Sequence, residues 1–387
     1  MLNPSLRSQV EPFRVMQMLD IIHQRSREGK DTIMLCAGQP STGAPRPALE
    51  AVSEALFDEP LGYTEVVGDA RLREAVADWH SNTYGVDTSP GQVIITTGSS
   101  GAFSNAFLAL LDHGDRVAIT APGYPAYRNI LASLGAEITY LKVGAETRFQ
   151  ATATMLEELA EKGEKPKLVI VTSPGNPTGT IIDPAELERI ARWCEDNGCA
   201  LISDEDYHGI SFGRPTVTAR QFSDDAIVVG TLSKYFSMTG WRVGWMIVPE
   251  NLVEPLTNLQ ASLSLCAPAV SQVAGVAAFG EASISELNDH VERYREARAV
   301  LLEELPKLGL DTYADPDGGL YLWLNVEKLT DDSEELAHRW VEEIGVAVAP
   351  GIDFDPFEGH KWVRLSLCTP ADETREACRR IASWISR

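Results

Sequence analysis

Short apolar, β-branched runs alternate with amphipathic stretches through the middle of the chain. Strands are expected at 93–96, 117–120, 168–172, 200–203, 226–229 and 243–248. Helical segments fall between several of them, the signature of a largely parallel sheet with helical crossovers. Asp183-Pro184-Ala185-Glu186 marks one helix start, with an N-cap aspartate, a first-turn proline and a capping-box glutamate. A long helix with one heavily charged side is expected over about 283–305, opened by a second capping box of Ser283 and Glu286. It suits a connection between a large domain and a smaller one. Beyond it the texture changes: 319–324 and 362–367 read as strands and 333–344 as a helix. This is the pattern of a small α+β domain, which the N-terminal segment is expected to complete. No internal repeat, low-complexity stretch or flexible linker interrupts the chain.

Composition narrows the classes. A chain of 387 residues, 44% hydrophobic and 23% charged, has room for a large domain plus a smaller one and suits a soluble globular enzyme. No apolar run approaches the ~18 residues of a membrane helix. Arg7, Glu11, Pro12, Arg14 and Asp20 break up the N-terminal stretch, which lacks the apolar core of a secretory signal. The expected compartment is the cytoplasm. A formal net charge of −23 opposes binding to nucleic acid, whose phosphates would be repelled. Cys36, Cys194, Cys199, Cys266, Cys368 and Cys378 are scattered with no C-x-x-C pair, so neither a zinc site nor a disulfide framework is expected.

Chemistry gathers after the strands, where open α/β sheets bind their ligands. After 93–96 comes Thr97-Gly98-Ser99-Ser100-Gly101, small residues opening a helix expected at 103–111. Backbone amides and a helix N-terminus there suit a phosphate, although a Gly-Ser turn often only starts a helix. The glycine spacing matches neither a P-loop nor a dinucleotide fingerprint, and no G-x-S-x-G elbow is present. After 117–120, Ala121-Pro122-Gly123-Tyr124 presents a tyrosine able to stack on a flat ring or simply to pack. After 168–172, Asn176 lies in the constrained run Ser173-Pro174-Gly175-Asn176-Pro177-Thr178-Gly179, where its amide serves either the turn or a ligand oxygen. Strand 200–203 delivers Asp204, followed by Glu205, Asp206 and Tyr207. A carboxylate at a buried strand end needs a cation or strong donors to stay ionised.

The last of these strand ends leads into Thr231-Leu232-Ser233-Lys234-Tyr235, with Arg242 eight residues beyond the lysine. A surface lysine has a pKa of about 10.4 and is a poor nucleophile near neutrality. Desolvation and a neighbouring cation such as Arg242 favour the neutral amine that forms a Schiff base. Alone, Lys234 reads as a strand-end residue. With aromatic, amide and carboxylate groups on consecutive strand ends, it describes a pocket for a flat, phosphorylated heteroaromatic aldehyde.

The chain resembles a fold-type I pyridoxal-phosphate enzyme of the class I/II aminotransferases, from Gly38 to Arg364. The most specific matches are the run 173–179, Asp204-x-x-Tyr207, and Ser233-Lys234 with Arg242. The resemblance implies an α/β fold: a large domain (47–283) on a mostly parallel seven-stranded sheet flanked by helices, and a discontinuous small α+β domain (1–46 and 284–387). It implies that Lys234 carries pyridoxal 5'-phosphate as a Schiff base and later moves the substrate α-proton. Asp204 would pair with the pyridine nitrogen, Asn176 and Tyr207 would bond the ring's phenolic oxygen, and Tyr124 would stack on the ring. Ser99, Ser100, Gly101, Thr231, Ser233 and Arg242 would hold the phosphate. Gly38, Asn176 and Arg364 would meet the substrate, Arg364 taking its α-carboxylate with a planar fork. Gly62-Tyr63-Thr64 resembles the segment whose tyrosine reaches a neighbouring subunit's cofactor, which implies a homodimer with composite sites. No metal is implied.

The implied reaction moves an amino group between an L-amino acid and a 2-oxo acid. Ser100 stands where an aspartate-using subgroup carries a lysine, and Gln39, Pro40 and residues 263–266 are uncharged, so a neutral aliphatic or aromatic donor is expected. Two other readings remain open: a carbon–sulfur β-lyase, which shares most of these cofactor residues, and a regulator that senses the cofactor or an amino acid. The acidic balance opposes the DNA-binding module of such a regulator, and no such extension is expected before Met1.

Overall fold

The computed structural model describes residues 2–387. Helix α1 (Arg14–Arg27), strand β1 (Ile33–Leu35), α2 (Arg46–Asp58) and α3 (Ala70–Tyr84) lead into an alternating stretch. It runs β2 (Val93–Thr96), α4 (Gly98–Leu110), β3 (Arg116–Ala121), α5 (Pro125–Leu134), β4 (Glu137–Lys142), α6 (Ala153–Glu161), β5 (Leu168–Thr172), α7 (Pro184–Asn197), β6 (Ala200–Asp204), β7 (Ile227–Thr231) and β8 (Gly244–Ile247). Helices α8 (Glu250–Leu263), α9 (Ala269–Ala278) and α10 (Glu281–Glu304) follow. The chain closes with β9 (Tyr313–Ala314), β10 (Tyr321–Asn325), α11 (Ser333–Ile344), β11 (Val346–Pro350), β12 (Trp362–Ser366) and α12 (Ala371–Ile385).

Seven strands form one sheet in the order β2-β8-β7-β6-β5-β3-β4, with only β8 antiparallel to its neighbours. Its inner strands are buried on both faces, which is why they read as continuous apolar runs rather than as alternation. Leu168 and Ile170 share an apolar cluster with Phe103, Phe107 and Leu131 from α4 and α5. Val169 and Val171, on the opposite face by the two-residue period, join Leu156, Leu187 and Ile190 from α6 and α7. The second sheet runs β1-β11-β12-β10-β9, and β1 pairs in parallel with β11. The N-terminal segment is thus part of the C-terminal sheet.

The differences from the sequence reading are local. Strand β4 was not expected: it lies at the sheet edge, only Leu141 is buried, and its polar residues blur the pattern. Helix α4 begins at Gly98, five residues before the expected start. Asp183 does cap α7 by accepting from the Ala185 amide, but Glu186 accepts from the Ala153 amide instead of closing a capping box. The box expected at Ser283 and Glu286 does not form either. Helix α10 starts at Glu281, Ser283 Oγ donates to the Ala277 carbonyl, and Glu286 accepts from the Arg46 amide.

The chain order reverses between β3 and β5: it moves outward from β3 to β4, then returns through β5, β6 and β7. Such a switch point leaves a crevice at the carboxyl ends of the strands, and the second sheet brings β10 and β12 against it. Among the described residues no helix is long and apolar enough to cross a membrane. Cys266 is half-buried and the other five cysteines are buried free thiols.

Candidate active site

A cavity of about 470 Å3 opens at that crevice, between the strand ends of the large sheet and one face of the second. The end of β6 supplies Asp204, Asp206 and Tyr207, and the turn after β7 supplies Ser233 and Lys234. Ser99 and Ser100 come from the first turn of α4, Tyr124 from the turn after β3, and Asn176 from the turn after β5. Gly38 and Arg364 complete the opposite wall. Gly101, Thr231 and Tyr63 are not on the cavity surface. Thr231 stands behind it, its hydroxyl donating to Ser233 Oγ at 2.9 Å. Tyr63 is 86% exposed on the outside of the chain. Of the residues expected to shape side-chain selection, Gln39 lines the cavity, whereas Leu263 and Leu265 face solvent.

Lys234 Nζ donates to the Gly38 carbonyl at 2.8 Å and lies 5.6 Å from the Tyr207 ring centre. The loop that carries it is folded tightly, with Ser237 and Arg242 both in the left-handed region (φ 56° and 54°). Non-glycine residues are held there only where the surroundings demand it. Gly98 is also left-handed (φ 68°), and a Cβ on it would lie 2.5 Å from Arg242 Nη2. A Cβ on Gly244 would lie 2.6 Å from the Ser99 amide nitrogen. The two glycines let a guanidinium and the N-terminus of α4 meet at one spot, a ready place for an anion.

Asp204 is fully enclosed. The Tyr127 hydroxyl donates to its Oδ2 and the Asp206 amide to its Oδ1 at 3.1 Å. Burial pushes its pKa up to about 6, while the Tyr127 hydroxyl, the Asp206 amide and Lys234 pull it back down. Tyr207 makes contacts on two sides: its hydroxyl accepts from Asn176 Nδ2 at 3.4 Å and lies 3.1 Å from the Tyr321 hydroxyl. Burial raises the Tyr207 phenol well above its ordinary range and brings Tyr124 up to about 12, so both stay neutral donors.

Arg364 is held as a rigid fork. Nη1 donates to Asn176 Oδ1 at 2.9 Å and Nη2 to the Cys36 carbonyl at 2.8 Å. The guanidinium lies between the rings of Tyr321 and Phe354, at 4.0 and 4.5 Å from their centres. Among the described residues its buried Nε has no partner.

Sequence reasoning missed three contributors. Tyr127 reaches Asp204 from a helix 77 residues away along the chain. Tyr321 lies so close to Gly38 that a Cβ there would overlap its hydroxyl, which explains the glycine. The third is an apolar wall of Phe13, Val15, Met16 and Leu19 from the start of α1. The amphipathic spacing of α1 was the only available signal, and it reads as ordinary packing. A wider hollow of about 670 Å3 between Asp87, Arg220, Asp224, Asp225 and Glu250 contains no comparable set of groups. Among the described residues no cluster of three or more His, Cys, Asp or Glu side chains is placed to hold a metal ion.

A parallel sheet with a switch-point cavity, a lysine, a buried carboxyl and an anion cradle define an enzyme built around a phosphorylated organic cofactor. The sequence profile of the aminotransferase class I and II family matches residues 30–381, and the chain belongs to that family. It is 44% identical to the valine–pyruvate aminotransferase of Mycobacterium tuberculosis over 98% of both chains. The crystal structure of an aminotransferase from M. tuberculosis superposes with a TM-score of 0.97 at 43% identity, covering both chains completely. The aspartate aminotransferase of Thermus thermophilus with maleate gives a TM-score of 0.93 at 29% identity, over 99% of this chain and all of that one. Aminotransferases of this fold use pyridoxal 5'-phosphate. The residues here fit it: the cradle at Gly98 and Arg242 suits the phosphate, Lys234 the aldehyde, and Asp204 the ring nitrogen.

Proposed function

We propose that this aminotransferase takes its amino group from a neutral aliphatic or aromatic L-amino acid and passes it to a 2-oxo acid, with Lys234 as nucleophile and proton carrier. The observation that carries the reading is the convergence of the Lys234 amine, the Asp204 carboxyl and the Arg364 fork on one cavity. The side contributed by the start of α1 is Phe13, Val15, Met16 and Leu19, with no charge to meet a second carboxylate. Among the described residues lining the cavity the cations are Lys234, Arg242 and Arg364, and each already has a task. The relative with 44% identity acts on valine and pyruvate, which favours the aliphatic end of the range.

Bound pyridoxal phosphate supplies a carbonyl that takes up the amino group and a ring that withdraws electrons from the substrate α-carbon. Lys234 anchors it through its amine and, once released, takes the substrate α-proton. Asp204, ionised, keeps the ring nitrogen protonated. Asn176 and Tyr207 hold the phenolic oxygen and Tyr124 packs on the ring face. Ser99, Ser100, Arg242 and Ser233 would hold the phosphate, with the backbone of Gly101 in the same helix turn, and Thr231 fixes Ser233. Arg364, with Asn176 behind it and Gly38 beside it, binds the substrate carboxylate. We further propose a cytoplasmic homodimer in which the exposed Tyr63 reaches the other subunit's phosphate. The free, mostly buried thiols, which suit a reducing compartment, and the exposure of Tyr63 support these two assignments.

A half-reaction screen tests the proposal. Single amino acids are added to holoenzyme without acceptor while cofactor absorbance and products are followed. Aliphatic donors such as valine should yield one equivalent of 2-oxo acid and aminated cofactor, and Lys234→Ala should yield none and hold no covalent cofactor. Catalytic release of pyruvate, ammonia and thiol from cystathionine would instead identify a lyase. Preference for aspartate would overturn the neutral-donor assignment.

A further inference from the structure

Asp206 has no part in the mechanism above, yet it is a buried carboxyl on the cofactor cavity. We propose that Asp206 is a positioning residue for the cofactor phosphate: it stands in the site as a neutral carboxylic acid that donates to Ser99, freeing the Ser99 hydroxyl to donate to the phosphate. The inference rests on the reading of this cavity as the pyridoxal-phosphate site.

Two carboxyl groups two residues apart, enclosed in one pocket, do not both ionise readily. The hydrogen bonds decide which one carries the charge. Asp204 receives donors on both oxygens, from Tyr127 and from the Asp206 amide. Among the described residues the Asp206 carboxyl has a single partner, Ser99 Oγ at 2.6 Å from Oδ2, and its buried Oδ1 has none. A carboxylate stripped of water needs donors on both oxygens, whereas the carbonyl of a neutral acid costs far less when left unpaired.

The groups facing Asp206 come from several elements. Asp204 on its own turn opposes a second negative charge, and Lys234 and Arg242 favour one. Tyr124, Tyr127 and Tyr207 are neutral phenols. Burial, reinforced by Asp204, holds the Asp206 carboxyl well above the usual range against the pull of Ser99, Lys234 and Arg242. A bound phosphate would further oppose a carboxylate at this place by occupying Arg242.

The direction of the short bond then matters. An ionised Asp206 would claim the only proton of Ser99 and set a negative charge beside the phosphate. A neutral Asp206 donates its own proton to Ser99 Oγ, and the serine proton is left for a phosphate oxygen. The two arrangements differ by the one proton that Asp206 itself carries; the serine keeps its own proton in both and turns it from Asp206 to the phosphate.

The test compares wild type with Asp206→Asn, Asp206→Ala and Ser99→Ala. Apoenzyme is titrated with pyridoxal phosphate at neutral pH, and infrared difference spectra are recorded for the holoenzymes. An amide N–H can replace the acid's donor, so Asp206→Asn should bind within about threefold of wild type, while the two alanine variants each lose roughly three- to tenfold. The difference spectrum of wild type against Asp206→Asn should contain the carbonyl band of a protonated carboxylic acid. A carboxylate band in its place, or Asp206→Asn binding the cofactor ~10-fold tighter than wild type through lost charge repulsion, would overturn the proposal. If pyridoxal phosphate binds without attachment at Lys234, the reading of the cavity itself fails. Normal attachment without the carboxylic acid band rejects the role of Asp206 alone.

Discussion

Burial and hydrogen bonding act against each other at Asp204. Enclosure favours the neutral acid, and the Tyr127 hydroxyl, the Asp206 amide and Lys234 favour the carboxylate. A protonated ring nitrogen on the cofactor would add the missing countercharge. Asp204→Asn should therefore still bind pyridoxal phosphate but slow α-proton removal by on the order of 100-fold or more. Stopped-flow absorbance with a single amino donor measures this, and a near-normal rate would reject the electrostatic role. Glu205, the next residue, points away from the cavity and accepts from the Ala219 amide at 3.0 Å. Burial pushes its pKa from 4.5 up to about 8. A carboxyl that binds its proton more tightly in the folded chain stabilises the fold most below its unfolded pKa. That contribution fades as pH rises toward 8. Glu205→Gln should thus be more stable than wild type at pH ~9, by on the order of 2 kcal/mol, with the gap closing near pH ~4. Chemical denaturation across that range checks it; a gap independent of pH would point to packing instead.

Helix α1 shows how an element can depend on distant chemistry. Its N-cap residue Phe13 has no side chain able to cap, and the first two amides are bound instead by Asp353, at 3.0 and 2.9 Å. Asp353 is fully buried and precedes Phe354, which packs on Arg364. The same turn thus anchors the apolar wall of α1 and supports Arg364, the proposed carboxylate site. Asp353→Ala should remove about 1–2 kcal/mol of capping and loosen α1. The expected result is faster amide exchange over residues 14–19 and a KM for the amino donor raised several-fold, with kcat less affected. Unchanged exchange and KM would show that other contacts hold the helix.

At the scale of the molecule, the site lies between two sheets, and the proposed homodimer adds a third source of residues. Complementation tests that proposal. Lys234→Ala and Tyr63→Ala are each expected to be impaired, and mixed dimers should regain activity at the one site pairing an intact Lys234 with an intact Tyr63. A mixture no more active than its parents after subunit exchange would leave Tyr63 without a role across the interface.

Much of the site could be read along the chain because parallel strands end on one side of a sheet. Asn176, Asp204 and Lys234 follow three such ends, and residue order alone collects them. Strand β4 was hidden because an edge strand buries one side only, and the two capping boxes failed because their glutamates found amides elsewhere in the fold.

The sequence by itself determined the alternating architecture and the residues at the strand ends, since these follow from local pattern and short spacing, and its motifs resembled a family whose cofactor chemistry they then implied. Only the tertiary structure decided which groups oppose them: Tyr127 on Asp204, Asp206 on Ser99, the aromatic pair about Arg364, and the apolar wall of α1. Ser99 and Asp206 are 107 residues apart, and the amides that start α1 are bound by Asp353 as many as 339 residues away; no periodicity encodes a distance that folding alone closes.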